Sequence, residues 1–276
     1  MKFRTYHQVA GDDASRLGEQ VAAQRSRIRE RLRGVRRVVG VMSGKGGVGK
    51  SYLTAAMAVG LMPRLTQGVG VLDGDLKSPT AARMLGAAGP LHLDTDGVDP
   101  AVGLGGVKVF SMDLLLQEGQ PLRWREPGTE RFIWRGVLET GALREFLADV
   151  RWGALDLLLV DLPPGVDHLE DLAELVPALT GAIAVTIPSE ESRRSVERAM
   201  HAARESKVRL LGVIENMSGY TCAACGRTGP LFPGEAGATL AQSFGVPLLD
   251  RIPYHATLPQ PTGLATLTDA LLAVLP

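Results

Sequence analysis

Gly44-Lys45-Gly46-Gly47-Val48-Gly49-Lys50-Ser51 is the stretch whose reading decides the fold. It fits G-x-x-x-x-G-K-[ST], a loop whose glycines let backbone N–H groups wrap phosphate oxygens. Lys50 adds a point charge on the terminal phosphates, and the Ser51 hydroxyl ligates Mg²⁺. The same stretch reads as G-x-G-x-x-G through Gly44, Gly46 and Gly49, the dinucleotide fingerprint, with Asp73 and Asp75 roughly where a ribose-binding acid would fall. Two features decide between them. Lys50-Ser51 directly after the last glycine has no use in a pyrophosphate turn, and Leu159-Val160-Asp161 supplies the further acidic strand end of an Mg-nucleotide site. Lys45 is one lysine more than the cradle requires, which points to an action elsewhere, on another subunit's nucleotide.

Outward from this loop, apolar strand-like runs alternate with helical patterns. The runs are Arg37–Ser43, Gly68–Asp73, Val107–Ser111, Leu155–Asp161, Gly181–Ile187, Arg209–Glu215 and Pro247–Ile252. Helical spacing covers Ser51–Leu61, Thr80–Leu85, Arg135–Val150, Leu169–Leu175, Glu191–Glu205 and Ala236–Phe244. A continuous apolar run such as Leu157-Leu158-Leu159-Val160 is what a sheet buried on both faces needs. Regular alternation predicts an α/β fold: a doubly wound, mostly parallel sheet with helices on both faces, binding ligands at the carboxyl ends of its strands. Gly86–Gly106 and Gln117–Arg131 read as surface excursions. Residues 12–36 read as a helix in which Arg25, Arg27, Arg29, Arg31, Arg33, Arg36 and Arg37 form a basic cluster, either a solvated face packed on the domain or an electrostatic docking surface. No aromatics interleave those arginines as a single-strand nucleic-acid platform would require.

The 276 residues are 45% apolar, enough for a full core, and carry 30 basic against 30 acidic side chains, so no polyanionic partner is implied. Two cysteines argue against a disulfide scaffold and fit a reducing compartment. With no apolar run of a signal peptide at Met1–His7 and no apolar segment long enough to span a bilayer, the expectation is a cytoplasmic protein.

Asp75 closes the second strand, where a carboxylate can orient the attacking water or hold a water of the Mg²⁺ shell. Asp73 is open between such a role and that of a capping acid. Asp161-Leu162-Pro163-Pro164-Gly165 ends another buried run; Asp161 suits a carboxylate facing a metal, and Gly165 allows a backbone N–H to approach a γ-phosphate. Cys222-Ala223-Ala224-Cys225 presents two thiolates to one metal, with a redox pair, half a zinc site and accident all open. A four-sulfur site needs twice the cysteines this chain has. It is completed either by other ligands or by a second chain, and the latter predicts a symmetric dimer. His7, His92, His168, His201 and His255 show no metal or nucleophile spacing, although His168 follows the Pro-Pro-Gly turn and could touch the phosphate region.

Gly44–Ser51, Asp73-Gly74-Asp75, Trp134-Arg135-Gly136, Trp152–Asp156, Asp161–Gly165, Glu215-Asn216-Met217-Ser218 and Cys222–Cys225 occur in the order seen in Mrp/ApbC-type P-loop ATPases. The chain resembles these iron–sulfur cluster carriers of the deviant Walker A class, related to MinD and ParA, over about residues 37 to 260. The resemblance implies ATP hydrolysis and a division into an arginine-rich helical extension, 1–36, and a P-loop ATPase domain, 37–276, with its metal-binding CxxC loop at 219–229. It implies ATP and Mg²⁺ bound by Gly44, Lys45, Gly46, Gly47, Val48, Gly49, Lys50 and Ser51. Lys45 would cross to the partner's phosphates, Asp75 would position the hydrolytic water, and Asp161 would serve Mg²⁺ through water. Asn216 would read the adenine edge, helped by the Ile252-Pro253 segment. Cys222 and Cys225 would share a [4Fe–4S] cluster across a homodimer, for delivery to apo iron–sulfur proteins. Zn²⁺ at the cysteine pair, in a regulatory ATPase, and a MinD/ParA-like positioning ATPase are the alternatives. Against the second, Gly263–Pro276 lacks the basic residues of a membrane-binding amphipathic helix, and CxxC has no purpose there. Leu76-Lys77-Ser78-Pro79, Val166-Asp167-His168 and Tyr52, which replaces a small hydroxyl residue, depart from the pattern.

Overall fold

Period-two alternation inside continuous apolar runs builds two hydrophobic clusters, one on each face of a single sheet. Leu157 and Leu159 enter one cluster with Val39, Val41, Val69, Val71, Ile183 and Val185, while Leu158 and Val160 enter the other with Val38, Met42, Leu72, Ala182 and Ala184. The computed structural model describes residues 17–115, 141–222, 224–255 and 264–276. Trp134-Arg135-Gly136, Gln117–Arg131, His7 and the first turn of the expected N-terminal helix lie outside the described residues.

The elements run α1 (Leu17–Arg31), β1 (Val38–Ser43), α2 (Lys50–Leu61), β2 (Val69–Asp73), α3 (Ala81–Met84), β3 (Ala101–Val102), β4 (Lys108–Phe110), α4 (141–149), β5 (Leu157–Asp161), α5 (His168–Leu175), β6 (Gly181–Thr186), α6 (Glu190–Glu205), β7 (Leu210–Thr221), β8 (Thr228–Gly229), α7 (Ala236–Phe244), β9 (Leu248–His255) and α8 (Ala265–Val274). The strands form one sheet in the order β3-β4-β2-β5-β1-β6-β7, with β8 and β9 both pairing β7. All pairings are parallel except β3–β4 and β7–β8. Helices α4, α5, α6 and α7 cover one face, joined by Ile28 of α1 and Leu32 just after it. Helices α2, α3 and α8 cover the other. The fold is the doubly wound, mostly parallel α/β sheet that the alternation predicts.

The connection from β1 runs to β2, beyond β5, whereas the later connection from β5 runs the other way, past β1 to β6 on its far side. At such a switch point the loops after neighbouring strands part and leave a crevice. Register brings the acids to it, with Asp161 level with Val41 of β1 and Asp73 of β2.

Two expectations are corrected, and one element is added. The segment Gly86–Gly106 is not only a surface excursion, because it contributes the edge strand β3, and Val98 is buried in the core. Strand β7 does not stop at Glu215 but runs on to Thr221, held by β9 on one side and by the β8 hairpin beyond. The C-terminal stretch is a helix whose Leu267 and Leu271 are fully buried in the α2 cluster. Among the described residues no helix is long and apolar enough to cross a membrane.

The arginine cluster is largely consumed internally. Arg27 pairs with Asp149, Arg31 with Asp96 and Arg36 with Asp156 (2.7 Å), while Arg37 donates to the Pro276 carbonyl. Side chains so engaged favour a face packed on the domain, while Arg25 and Arg29 on the helix and Arg33 just after it stay exposed.

Candidate functional site

The loop after β1 turns through left-handed backbone at Gly47 (φ +80°) and Gly49 (φ +82°), conformations a Cβ disfavours. Gly49 caps α2 without a side-chain hydrogen bond, leaving the first-turn N–H groups to an external anion. Lys45, Gly46, Gly47, Val48, Gly49, Lys50, Ser51 and Asp75 line one cavity of about 360 Å³, with Ser78, Thr80 and Pro164 on its far side. Lys45 is half-buried and makes no ion pair among the described residues. Gly44 stands behind the cavity, and a Cβ there would lie 2.3 Å from the Ser195 carbonyl carbon of α6 and 2.5 Å from Val196 N. Gly44→Ala is therefore expected to cost about 3 kcal/mol of stability, because the clash is with backbone and cannot rotate away. Chemical denaturation measures it.

Beneath the loop lies a buried charge network. Lys50 Nζ donates to Asp161 Oδ1 at 2.5 Å, and Thr54 Oγ1, one helical turn after Lys50, donates to the same oxygen at 3.1 Å. Asp161 is fully buried, yet its Oδ2 has no hydrogen-bond partner. An orphaned carboxylate oxygen here, with the Ser51 hydroxyl in the adjoining cavity, fits a hydrated Mg²⁺. Asp73 has the capping role instead. Its Oδ2 accepts from Thr80 N (2.9 Å), Ala81 N (3.0 Å) and Ser111 Oγ (2.9 Å), so it ties β2 to the start of α3. Burial, and then the charge of Asp161 opposite, push its carboxyl up to about 6. Gly165 is a correction: its N–H, expected to be open to a γ-phosphate, donates to the Ser43 carbonyl at 3.0 Å. Pro164 takes its place at the cavity wall. The His168 ring packs beside Gly165 without lining the cavity.

A second, mainly apolar cavity of about 450 Å³ adjoins the first, and the two share Gly49, Tyr52 and Met84. Asn216, Met217, Ile252, Pro253 and Tyr254 line it, so the two residues expected at an adenine base come together. Asn216 Nδ2 donates to the Val48 carbonyl at 2.8 Å, which links β7 to the phosphate loop. Its neighbour Glu215 is structural, accepting from Gly237 N (2.7 Å) and Arg251 Nε (2.9 Å) while fully buried. Thr54, Met84 and Tyr254 escaped the sequence reading. Thr54 had a signal, its i+4 spacing from Lys50 on one helix face; Met84 and Tyr254 reach the site only through tertiary packing.

Cys222 and Cys225 lie at the far end of β7, in the hairpin where Thr221 pairs with Thr228. Both are free thiols, Cys222 half-buried and Cys225 exposed. The N–H groups of Cys225 and Ala224, and then the Cys225 side chain, hydrogen-bond toward Cys222 and hold its thiol below the ordinary value, which favours a thiolate. Among the described residues no three His, Cys, Asp or Glu side chains are grouped to hold a metal ion. The knuckle therefore supplies two sulfurs, with no third such side chain grouped beside them among the described residues. It is joined to the nucleotide end of the sheet by one strand, β7, which carries Asn216 midway along and leads into Cys222 after its last residue.

The chain is similar to known proteins in sequence and in fold. The chain is 36% identical over 249 residues to an iron–sulfur cluster carrier protein of Saccharolobus solfataricus, covering 89% of this chain and 80% of that one. It is 35% identical over 241 residues to the human cytosolic Fe-S cluster assembly factor NUBP2, covering 82% of each. A nucleotide-binding protein of Archaeoglobus fulgidus, solved in complex with ADP, superposes with a TM-score of 0.71 at 31% identity, covering 91% of this chain and 97% of that one. The septum site-determining protein MinD of Pyrococcus horikoshii shares the fold at a TM-score of 0.51 and 19% identity, over 87% and 86% of the two chains. A ParA family model, described as NUBPL iron-transfer P-loop NTPase, matches residues 34–266, and the chain belongs to that family.

Proposed function

We propose that the protein is an ATP-hydrolysing carrier of iron–sulfur clusters that works as a homodimer in the cytosol, holding a [4Fe–4S] cluster between two Cys222/Cys225 pairs and passing it to apoproteins. One observation carries the reading: a pair of free thiols, Cys222 and Cys225, directly follows the strand whose Asn216 and Met217 line the cavity that adjoins the phosphate loop. The names of the S. solfataricus and human relatives support the cargo. Residues 37–276 would form the ATPase domain and 1–36 its arginine-rich extension.

The nucleotide chemistry follows from the donors present. N–H groups of Gly46–Ser51 bind the phosphates, and Lys50 exchanges Asp161 for a terminal phosphate oxygen. Mg²⁺, held by Ser51 directly and by Asp161 and Asp75 through water, would neutralise phosphate charge. Asp75 orients a water for attack on the γ-phosphorus and accepts its proton as the bond to the β–γ bridging oxygen breaks and ADP departs. Lys45, with no acid of its own to pair with among the described residues, is available to the partner's phosphates. At the hairpin, the N–H groups aimed at Cys222 stabilise the thiolate that a cluster iron requires.

Anaerobic reconstitution with iron and sulfide tests the reading through cluster absorbance and transfer to an apo-acceptor. Wild type is expected to load and transfer, and Cys222→Ala and Cys225→Ala to lose both. Loading with zinc alone, or full cluster in both variants, would show the carrier reading to be wrong.

A further inference from the structure

We propose that Tyr52 is the sugar-contacting residue of the nucleotide site, its ring forming the platform on which the ribose packs between the phosphate loop and the base cavity. This rests on the nucleotide reading above and adds a residue that the phosphate-loop pattern does not contain.

The two cavities at this end of the sheet differ in character. One is walled by the loop and by Lys45, Lys50 and Asp75; the other is mainly apolar, with Asn216, Ile252 and Pro253. A nucleoside triphosphate with its phosphates in the first and its base in the second must carry its sugar across the residues common to both. These are Gly49, Tyr52 and Met84. Gly49 offers no side chain, and Met84 is a flexible thioether on the short helix α3. Of these three, Tyr52 offers the rigid surface. It is the third residue of α2, where side chains lean back toward the helix N-terminus and so over the Gly49 turn. Its partial burial raises the phenol above its ordinary value, so the ring stays uncharged beside the phosphates at neutral pH.

Binding of ATP and of inorganic tripolyphosphate to wild type, Tyr52→Phe and Tyr52→Ala separates the possibilities, because tripolyphosphate has the phosphates without sugar or base. Tyr52→Ala is expected to weaken ATP about tenfold while tripolyphosphate stays within about twofold of wild type, and Tyr52→Phe is expected to keep most of the ATP affinity. An equal loss for both ligands would assign Tyr52 to the shape of the loop and overturn the proposal. So would unchanged ATP binding in Tyr52→Ala, or a Phe variant as weak as the Ala one, which would move the contact from the ring to the hydroxyl. If wild type binds neither ligand, the nucleotide reading itself falls. If it binds both and the variants are silent, only the role of Tyr52 does.

Discussion

Lys50→Met is expected to weaken ATP binding about 100-fold and to lower the stability of the ligand-free protein by about 3–5 kcal/mol. Methionine keeps most of the lysine stem, so the change isolates the charge. Lys50 is 6% exposed and its partner Asp161 is fully buried. Removing the ammonium strands a carboxylate that already has one oxygen without a partner. Thr54 still donates to Asp161, but a neutral hydroxyl does not balance a buried negative charge. For ATP, loss of a charge-assisted phosphate contact corresponds to a weakening of about 100-fold. Urea denaturation of the ligand-free protein and calorimetric titration with ATP read the two effects separately. A stability loss under about 1 kcal/mol would mean that solvent screens the pair, in conflict with its burial.

Lys45→Ala is expected to behave in the opposite way. Lys45 is half-buried, and among the described residues no acid pairs with it, so its loss should change stability by no more than about 0.5 kcal/mol. ATP affinity of the single chain should change little, since Lys50 supplies the loop's own phosphate charge. Turnover is expected to fall by about 10³-fold, the scale on which a cation supplied in trans accelerates phosphoryl transfer. ATP-dependent dimerisation, followed by sedimentation velocity, should disappear with it. Turnover equal to wild type would remove the trans role of Lys45 and the reason for the extra lysine.

The contrast between these lysines was visible in the sequence, because the loop needs only one of them. The sheet was equally legible where strands are apolar on both faces, as in Leu157–Val160, since burial on two sides leaves no room for another composition. It was less so where structure is imposed from outside. The end of β7, Asn216 to Thr221, is polar and gains its strand form from β9 and β8. Helix α8 is apolar around much of its surface and has no N-terminal cap residue, so neither periodicity nor capping marks it. Which of the arginines before β1 pack on the domain is not legible locally, because Asp96, Asp149 and Asp156, which engage them, lie far along the chain. At the site, Asp75 reads as the functional carboxylate, while Asp73 stays open between that role and capping. Only the fold gives one to the start of α3 and the other to the cavity. Gly165 was assigned to phosphate because of its place in the turn, but the spacing of residues carries no information on where its N–H is already engaged.

The central claim is that two chains complete one metal site because each brings only two sulfurs. Native mass spectrometry of the anaerobically reconstituted protein tests it most directly. The account predicts a dimer carrying a single four-iron, four-sulfide cluster, with Cys222→Ala recovered only without cluster. A cluster retained on monomeric protein, or one zinc ion bound per chain, would contradict it.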